Sequence, residues 1–337
     1  MRAVGYRQSL PITAEDSLID LDLPKPAAGA RDLLVAVKAV SVNPVDTKVR
    51  MRNQPAAGES AVLGWDAAGI VEAVGSEVTG FKPGDAVFYA GAINRPGSNA
   101  EFHLVDARIA GPKPASLGFA EAAALPLTAI TAWEMLFDRL KIRDAVPGAA
   151  NALVIVGGAG GVGSIAIQLA RRLTDVTVIA TASRPETQAW AKELGAHHVV
   201  DHTKALPEQI AALGLGAPAF VFSTTHTDTH LAGIVELLAP QGRLGLIDDP
   251  KTLDVTLLKR KSLSLHWEFM FTRPVFQTAD IAEQGKLLAE VSRLVDAGTI
   301  RTTLGEHFGA INAANLKRAH ALIESNRAKG KIVLEGF

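Results

Sequence analysis

The stretch Ala152-Leu-Val-Ile-Val-Gly-Gly-Ala-Gly-Gly-Val-Gly-Ser164 constrains this chain more than any other. Leu153–Val156 is an apolar run without alternation, as expected of a parallel strand covered on both faces. Gly158, Gly160 and Gly163 follow at the spacing G-x-G-x-x-G, and Ile165, Leu169 and Leu173 then recur at helical spacing. Glycine is needed there because the turn is tight, the backbone has to approach a pyrophosphate, and the helix has to lie close to the strand. The free N–H groups and positive dipole end of the helix then face the phosphates. The expectation is a dinucleotide site lined by Gly158, Gly160, Gly161, Val162 and Gly163. A glycine-rich turn that binds nothing is the plain alternative. A membrane span is another, since Val146–Ala170 carries no charge, but the glycines, Pro147, Asn151 and Gln168 favour a soluble core element.

The rest of the chain falls into place around this unit. Residues 1–110 read as short strands between turns: Ala3–Arg7, Leu33–Val40, Gly69–Val74 and Ala100–Val105, with Pro83-Gly84 and Asn94-Arg-Pro-Gly97 as punctuation. That pattern predicts an antiparallel, barrel-like domain. Glu121–Leu125 and Ala129–Leu140 read as helical. After the glycine loop the rhythm is βαβα, with strands at Val176–Ala182, His198–Val200, Ala219–Phe222, Arg243–Ile247 and Ser262–Phe269. Six strands with crossovers make a doubly wound parallel sheet of the Rossmann type, so the fold class is α/β. Helices at Ala279–Ala297 and Asn315–Glu324 and a strand at Lys331–Glu335 then return the tail to the N-terminal domain.

A chain of 337 residues is long enough for two domains. A formal charge of −1 with no basic run gives no reason to expect nucleic acid or a membrane surface as a partner. The first residues lack the apolar run of a secretory signal, so the cytoplasm is the expected location. Cysteine is absent, which removes disulfides, thiolate nucleophiles and zinc sites built on thiolates. Among nine histidines the closest groupings are His197-His198 and His226 with His230, and neither has a third ligand near it in sequence, so no metal site is expected.

Several motifs together resemble the medium-chain dehydrogenase/reductase superfamily, and most closely its zinc-free, quinone oxidoreductase-like branch. They are Val40-Ser-Val-Asn-Pro-Val-Asp46, Leu63-Gly-Trp-Asp-Ala-Ala-Gly-Ile-Val-Glu-Ala-Val-Gly75, Lys82-Pro-Gly-Asp85, Leu125-Pro-Leu-Thr-Ala-Ile-Thr-Ala-Trp133, the glycine loop and Gly330-Lys-Ile-Val-Leu334. Asn94–Phe102 and His266–Phe271 are similar to a subgroup often labelled zinc-type alcohol dehydrogenase-like. The resemblance implies a β-rich GroES-like catalytic domain from residues 1–125 and 271–337, and a Rossmann domain from residues 126–270. Zinc-containing relatives hold the catalytic metal with Cys, His and Cys. The matching positions here are Asn43, Trp65 and Leu127, a poor ligand and two that cannot ligate.

The resemblance also implies site residues, expected where the N-terminal domain meets the carboxyl ends of the sheet. Asn43 either donates a hydrogen bond to a substrate oxygen or only caps the helix that begins at Pro44. Asp46 either orients a neighbour or is a first-turn acid favoured by the helix dipole. Tyr89 is a candidate proton donor. Thr131 is matched to a residue that touches the nicotinamide ribose, and Lys331, in the last motif, to a cofactor residue. Trp65, Trp267, Phe269 and Phe271 are candidate walls for a flat substrate. At the end of the second Rossmann strand, Thr181-Ala-Ser-Arg-Pro185 has no carboxylate to bind a ribose 2′-hydroxyl. Ser183 and Arg184 suit a 2′-phosphate instead, which points to NADPH unless Arg184 is only a solvated loop charge. The expected activity is metal-free hydride transfer from NADPH to a quinone or α,β-unsaturated carbonyl, in a homodimer joined through the Ser262–Phe269 edge strand. A zinc alcohol dehydrogenase and a non-catalytic NADPH-binding sensor are the alternatives.

Overall fold

The computed structural model describes all 337 residues, Met1–Phe337. In chain order the first elements are β1 (Arg2–Tyr6), β2 (Ile19–Asp22), β3 (Asp32–Val42), α1 (Pro44–Arg52), β4 (Ala61–Val62), β5 (Ala67–Val74), β6 (Ala86–Tyr89), β7 (Phe102–Asp106), β8 (Ala110–Pro112), α2 (Phe119–Ala123) and α3 (Pro126–Trp133). The middle of the chain holds β9 (Ala150–Val156), α4 (Gly161–Leu173), β10 (Thr177–Thr181), α5 (Pro185–Glu193), β11 (His198–Val200), α6 (Leu206–Ala212), β12 (Pro218–Ser223), α7 (Thr227–Leu237), β13 (Arg243–Leu246) and β14 (Ser264–Trp267). The tail adds α8 (Thr272–Phe276), α9 (Glu283–Asp296), β15 (Leu304–His307), α10 (Ala313–Glu324) and β16 (Lys331–Glu335). The elements group into two compact units, Met1–Ile130 with Phe271–Phe337, and Thr131–Met270.

The unit Thr131–Met270 is built on one parallel sheet of order β11-β10-β9-β12-β13-β14. Strand order reverses at β9, so the glycine loop that follows β9 stands at the switch point, where doubly wound sheets bind ligands. Burial explains the apolar runs. Leu153, Val154, Ile155 and Val156 of β9 and Phe220, Val221 and Phe222 of β12 are all fully buried. Ile165 and Leu169 of α4 cover the sheet, whereas Leu173 is only partly buried.

Two expectations need correction here. The helix read over Ala129–Leu140 stops at Trp133 and continues as a π-helical turn over Glu134–Arg139, in which Leu140 N–H reaches back to Met135 O at 2.8 Å. The wide turn is where Met135 packs on the backbone of β13: a Cβ at Gly245 would lie 2.2 Å from its Sδ. The last strand runs over Ser264–Trp267, not Ser262–Phe269. Ser262 has φ +51° and ends the short 3-10 segment Val255–Lys261, so the extended chain begins after it.

In the other unit, the long strand β3 organises the main sheet. It pairs with β5 along most of its length, with β7 at its start, and with β16 at its end. The sheet order is β15-β16-β3-β5-β6-β8, and β2-β1-β4 form a second, smaller sheet. All pairings in this unit are antiparallel except β15 with β16. The C-terminal strand β16 thus inserts directly beside the end of β3. No helix is long and apolar enough to cross a membrane.

Candidate active site and dinucleotide loop

The pairing of β16 with β3 assembles a buried polar group. Ile332 lies opposite Val42, so Lys331 and Asn43 meet at the end of the ladder. Lys331 Nζ donates to Val42 O at 3.0 Å and to Asn43 Oδ1, and it pairs with Asp66 Oδ2 at 3.0 Å. These partners use the three hydrogens of the ammonium. Asn43 Nδ2 donates to the same Asp66 oxygen at 2.9 Å, and Asp66 Oδ1 accepts the Leu127 N–H at 2.8 Å. The second Nδ2 hydrogen has only Ser41 O, at 3.4 Å. Asp66, Asn43 and Lys331 are 0%, 1% and 3% exposed. Burial pushes the Asp66 carboxyl above its ordinary range, and the Lys331 charge holds it back.

Asp46 sits on the first turn of α1, where Pro44 opens the helix. Its Oδ2 accepts the Asn43 backbone N–H at 2.7 Å, while its Oδ1 is buried without a hydrogen-bond partner. Burial pushes this carboxyl up to about 7, against the Asn43 N–H and the Lys331 charge, and the Asp66 charge adds to the rise. Asn43 therefore does not cap α1 with its side chain. The cap bond runs from its own N–H to Asp46, which leaves its amide to Asp66 and Lys331.

Two other expected residues are bonded within the same unit. Lys331, expected to touch the cofactor, has the hydrogens of its ammonium on Val42 O, Asn43 Oδ1 and Asp66 Oδ2. Tyr89, expected as a proton donor, is fully buried and bonded to His103 Nδ1 at 3.1 Å. Pro96 O accepts from His103 Nε2 at 2.9 Å, so Nδ1 is the acceptor and the tyrosine hydroxyl donates. The rings stack at 5.4 Å, burial raises the Tyr89 hydroxyl far above its ordinary value, and it lowers His103 to about 4. This pair belongs to the core.

Asp66 was not among the residues expected at the site. Its signal was a lone acid in the otherwise apolar run Trp65–Ala68, matched by Lys331 opening the apolar run Ile332–Leu334. Of the four aromatics, Trp65 and Phe271 are buried and meet edge to face at 6.2 Å. Trp267 and Phe269 are 50% and 49% exposed on the other unit. Thr131 is buried at the start of that unit.

The positions matched to zinc ligands do not fit zinc. The Asn43 side chain is held by an ammonium and a carboxylate, Trp65 Nε1 donates to Ala92 O at 3.3 Å, and Leu127 offers only its backbone. No group of three His, Cys, Asp or Glu side chains has the arrangement of a metal site.

The glycine loop does fit a pyrophosphate. The N–H groups of Gly161, Val162 and Gly163 have no acceptor within the chain, as at an uncapped helix start. A Cβ on Gly160 would meet nothing closer than Gly157 O at 3.5 Å, so the loop has an open face. A Cβ on Gly163 would lie 2.4 Å from Gly157 O, the close approach of helix to turn. At the end of β10, Ser183 is partly buried, and Arg184 forms an ion pair with Glu186 at 2.9 Å.

Two family models match the chain: an alcohol dehydrogenase GroES-like domain over residues 29–132 and a zinc-binding dehydrogenase over residues 194–334. A zinc-type alcohol dehydrogenase-like protein of Staphylococcus aureus is 38% identical over 336 residues, 99% of each chain. A quinone oxidoreductase of Pseudomonas aeruginosa is 32% identical over 314 residues, 91% of each. A solved protein of Rhizobium etli CFN 42, provisionally named a zinc-dependent alcohol dehydrogenase, superposes with a TM-score of 0.99 at 66% identity, covering 100% of this chain and 98% of that one.

Proposed function

Because the chain belongs to the medium-chain dehydrogenase/reductase superfamily and is an oxidoreductase of that kind, we propose that it transfers hydride from NADPH to a quinone or an α,β-unsaturated carbonyl, with no catalytic metal. The observation that carries the reading is the Asn43–Asp66–Lys331 group. Of the positions matched to a metal's ligands, Trp65 and Leu127 cannot ligate, and the amide of Asn43 is taken up by the Asp66 carboxylate and the Lys331 ammonium. NADPH, when bound, supplies the hydride. The glycine loop binds its pyrophosphate through the N–H groups of Gly161, Val162 and Gly163. Ser183 and Arg184 read its 2′-phosphate, and Arg184 exchanges a solvent-exposed partner, Glu186, for the phosphate at little cost.

Asn43 serves the substrate oxygen. Its second Nδ2 hydrogen, weakly held by Ser41 O, is the donor left over. Lys331 on Oδ1 polarises the amide and strengthens that donor. Asp46 fixes the Asn43 backbone through the N–H it accepts. One observation favours the second reading, a dinucleotide-binding sensor without turnover: Asn43 and Asp46 are each only 1% exposed.

The test is a turnover screen with NADPH and with NADH against quinones, enones and simple alcohols, with and without a chelator, alongside elemental analysis. The expected result is reduction of a quinone or enone, faster with NADPH and indifferent to chelation. Alcohol oxidation that is lost with the chelator, or one tightly bound zinc per chain, overturns the reading. Binding of NADPH without turnover on any acceptor favours the sensor.

A further inference from the structure

Three histidines gather around the glycine turn. His202 follows β11, His226 precedes α7 and His230 lies one turn into it. The His202 and His230 rings are 6.3 Å apart. His202 Nδ1 is 3.0 Å from Thr181 Oγ1 at the end of β10, and that oxygen accepts the Gly157 N–H at 3.0 Å. The Thr181 hydroxyl thus occupies Nδ1 and leaves Nε2 as the ring nitrogen that can meet a ligand. The loop leading to His226 packs on the same turn: a Cβ on Gly157 would lie 2.5 Å from Thr224 Oγ1 and 3.1 Å from Thr225 Cγ2.

The acids nearby are already occupied. Asp201 accepts from the N–H and hydroxyl of Thr203 and faces Lys204 at 3.9 Å. Asp248 accepts from the N–H and hydroxyl of Thr227, and Asp228 from the Thr229 N–H. None of these carboxylates is hydrogen-bonded to an imidazole, and the three rings do not have the arrangement of a metal site. Thr181, to which His202 is joined, ends the strand where a Rossmann sheet reads the ribose of the nucleotide.

We infer that His202 is a specificity-determining residue of the dinucleotide site, donating Nε2–H to a phosphate on the adenosine ribose and taking up a proton as that phosphate binds, with the His230 ring beside it. The inference rests on the dinucleotide reading given above. Burial and the neighbouring imidazoles hold His202 and His230 below the ordinary histidine range, while Asp201 pulls the first upward and Asp228 and Asp248 the second. The rings are therefore neutral in the free protein at pH 7, and a phosphate dianion supplies the charge that favours protonation. NADH has no such phosphate and gains nothing from this step.

Calorimetric titration of the full chain with NADPH and with NADH at pH 7, in two buffers of different ionisation enthalpy, counts the protons taken up. Comparison with His202→Gln cancels the phosphate's own titration. The expected result is greater proton uptake with NADPH in the wild type than in the variant, and no such difference with NADH. NADPH affinity should fall about ten-fold in His202→Gln, with NADH within about two-fold. His230→Gln should act in the same direction and less strongly. Equal losses for both dinucleotides, or unchanged proton uptake, overturn the role of His202 and leave the dinucleotide reading standing. Binding of neither dinucleotide by the wild type overturns both.

Discussion

Lys331 and Asp66 are a buried ion pair, and the value of such a pair is asymmetric. Removing one member leaves the other charge in the interior, which costs about 3–5 kcal/mol, whereas replacing both by apolar groups of similar volume is often neutral. Lys331→Met should therefore lower stability by about 3–5 kcal/mol, and Asp66→Leu with Lys331→Met should recover most of that loss. Denaturant unfolding of the two variants checks this, and an undisturbed single variant would show the pair to be solvated rather than buried. The same double variant separates structure from chemistry. If Lys331 polarises Asn43, activity stays low after stability returns. At this scale the sequence was partly legible. Asn43 and Asp46 share one short motif, and the bond between them spans three residues. The partners of Asn43 lie 23 and 288 positions away, and no local pattern joins them. They were detectable only as charges out of place in apolar runs. Lys331 stood out in its motif, but a motif shows a charge and not the side chains that neutralise it.

At the scale of elements, the β9–loop–α4 unit was legible because backbone geometry dictates its residues. The two loop glycines Gly160 and Gly163 do different work, and substitution separates them. At Gly163 a methyl group would meet Gly157 O at 2.4 Å, so Gly163→Ala forces helix and turn apart and should cost about 1–3 kcal/mol. At Gly160, φ is −71° and the nearest atom to a Cβ is 3.5 Å away, so alanine is tolerated by the fold. That methyl group would instead occupy the face offered to the pyrophosphate. Gly160→Ala should keep the wild-type melting temperature and weaken binding of both NADPH and NADH, while Gly163→Ala should lower the melting temperature. Wild-type affinity in a folded Gly160→Ala would remove the loop from the cofactor site. The π-helical turn after α3 was not legible. Its apolar spacing through Leu140 satisfies a helical template, and what widens the turn is the packing of Met135 on Gly245, more than a hundred residues on. Gly245 itself reads in sequence only as a glycine inside a strand.

At the scale of the whole molecule, the parallel sheet ends in an unresolved obligation. β14 pairs with β13 on one side and has no strand on the other. An apolar edge left open is a template for pairing with another chain unless something covers it. From Trp267, at the end of β14, to Met270 beyond it, exposed and buried side chains alternate. Glu268 is 4% exposed and points inward to Arg139 at 2.8 Å, while Trp267 and Phe269 on either side of it are half exposed. Two large aromatic groups held outward beside an open strand edge cost nothing only if a partner buries them. A second copy meets both needs at once, because a two-fold axis sets the same edge and the same aromatics against each other. The expected state is a homodimer joined along β14. Light scattering at micromolar concentration should give about twice the mass of the 35.4 kDa chain. Trp267→Lys places a charge at the centre of that contact and should shift the protein to monomer, while the melting curve of its core, read by circular dichroism at low concentration, stays close to that of the wild type. A wild-type monomer would show that the edge is left open, and a dimer unaffected by Trp267→Lys would show that the copies meet elsewhere.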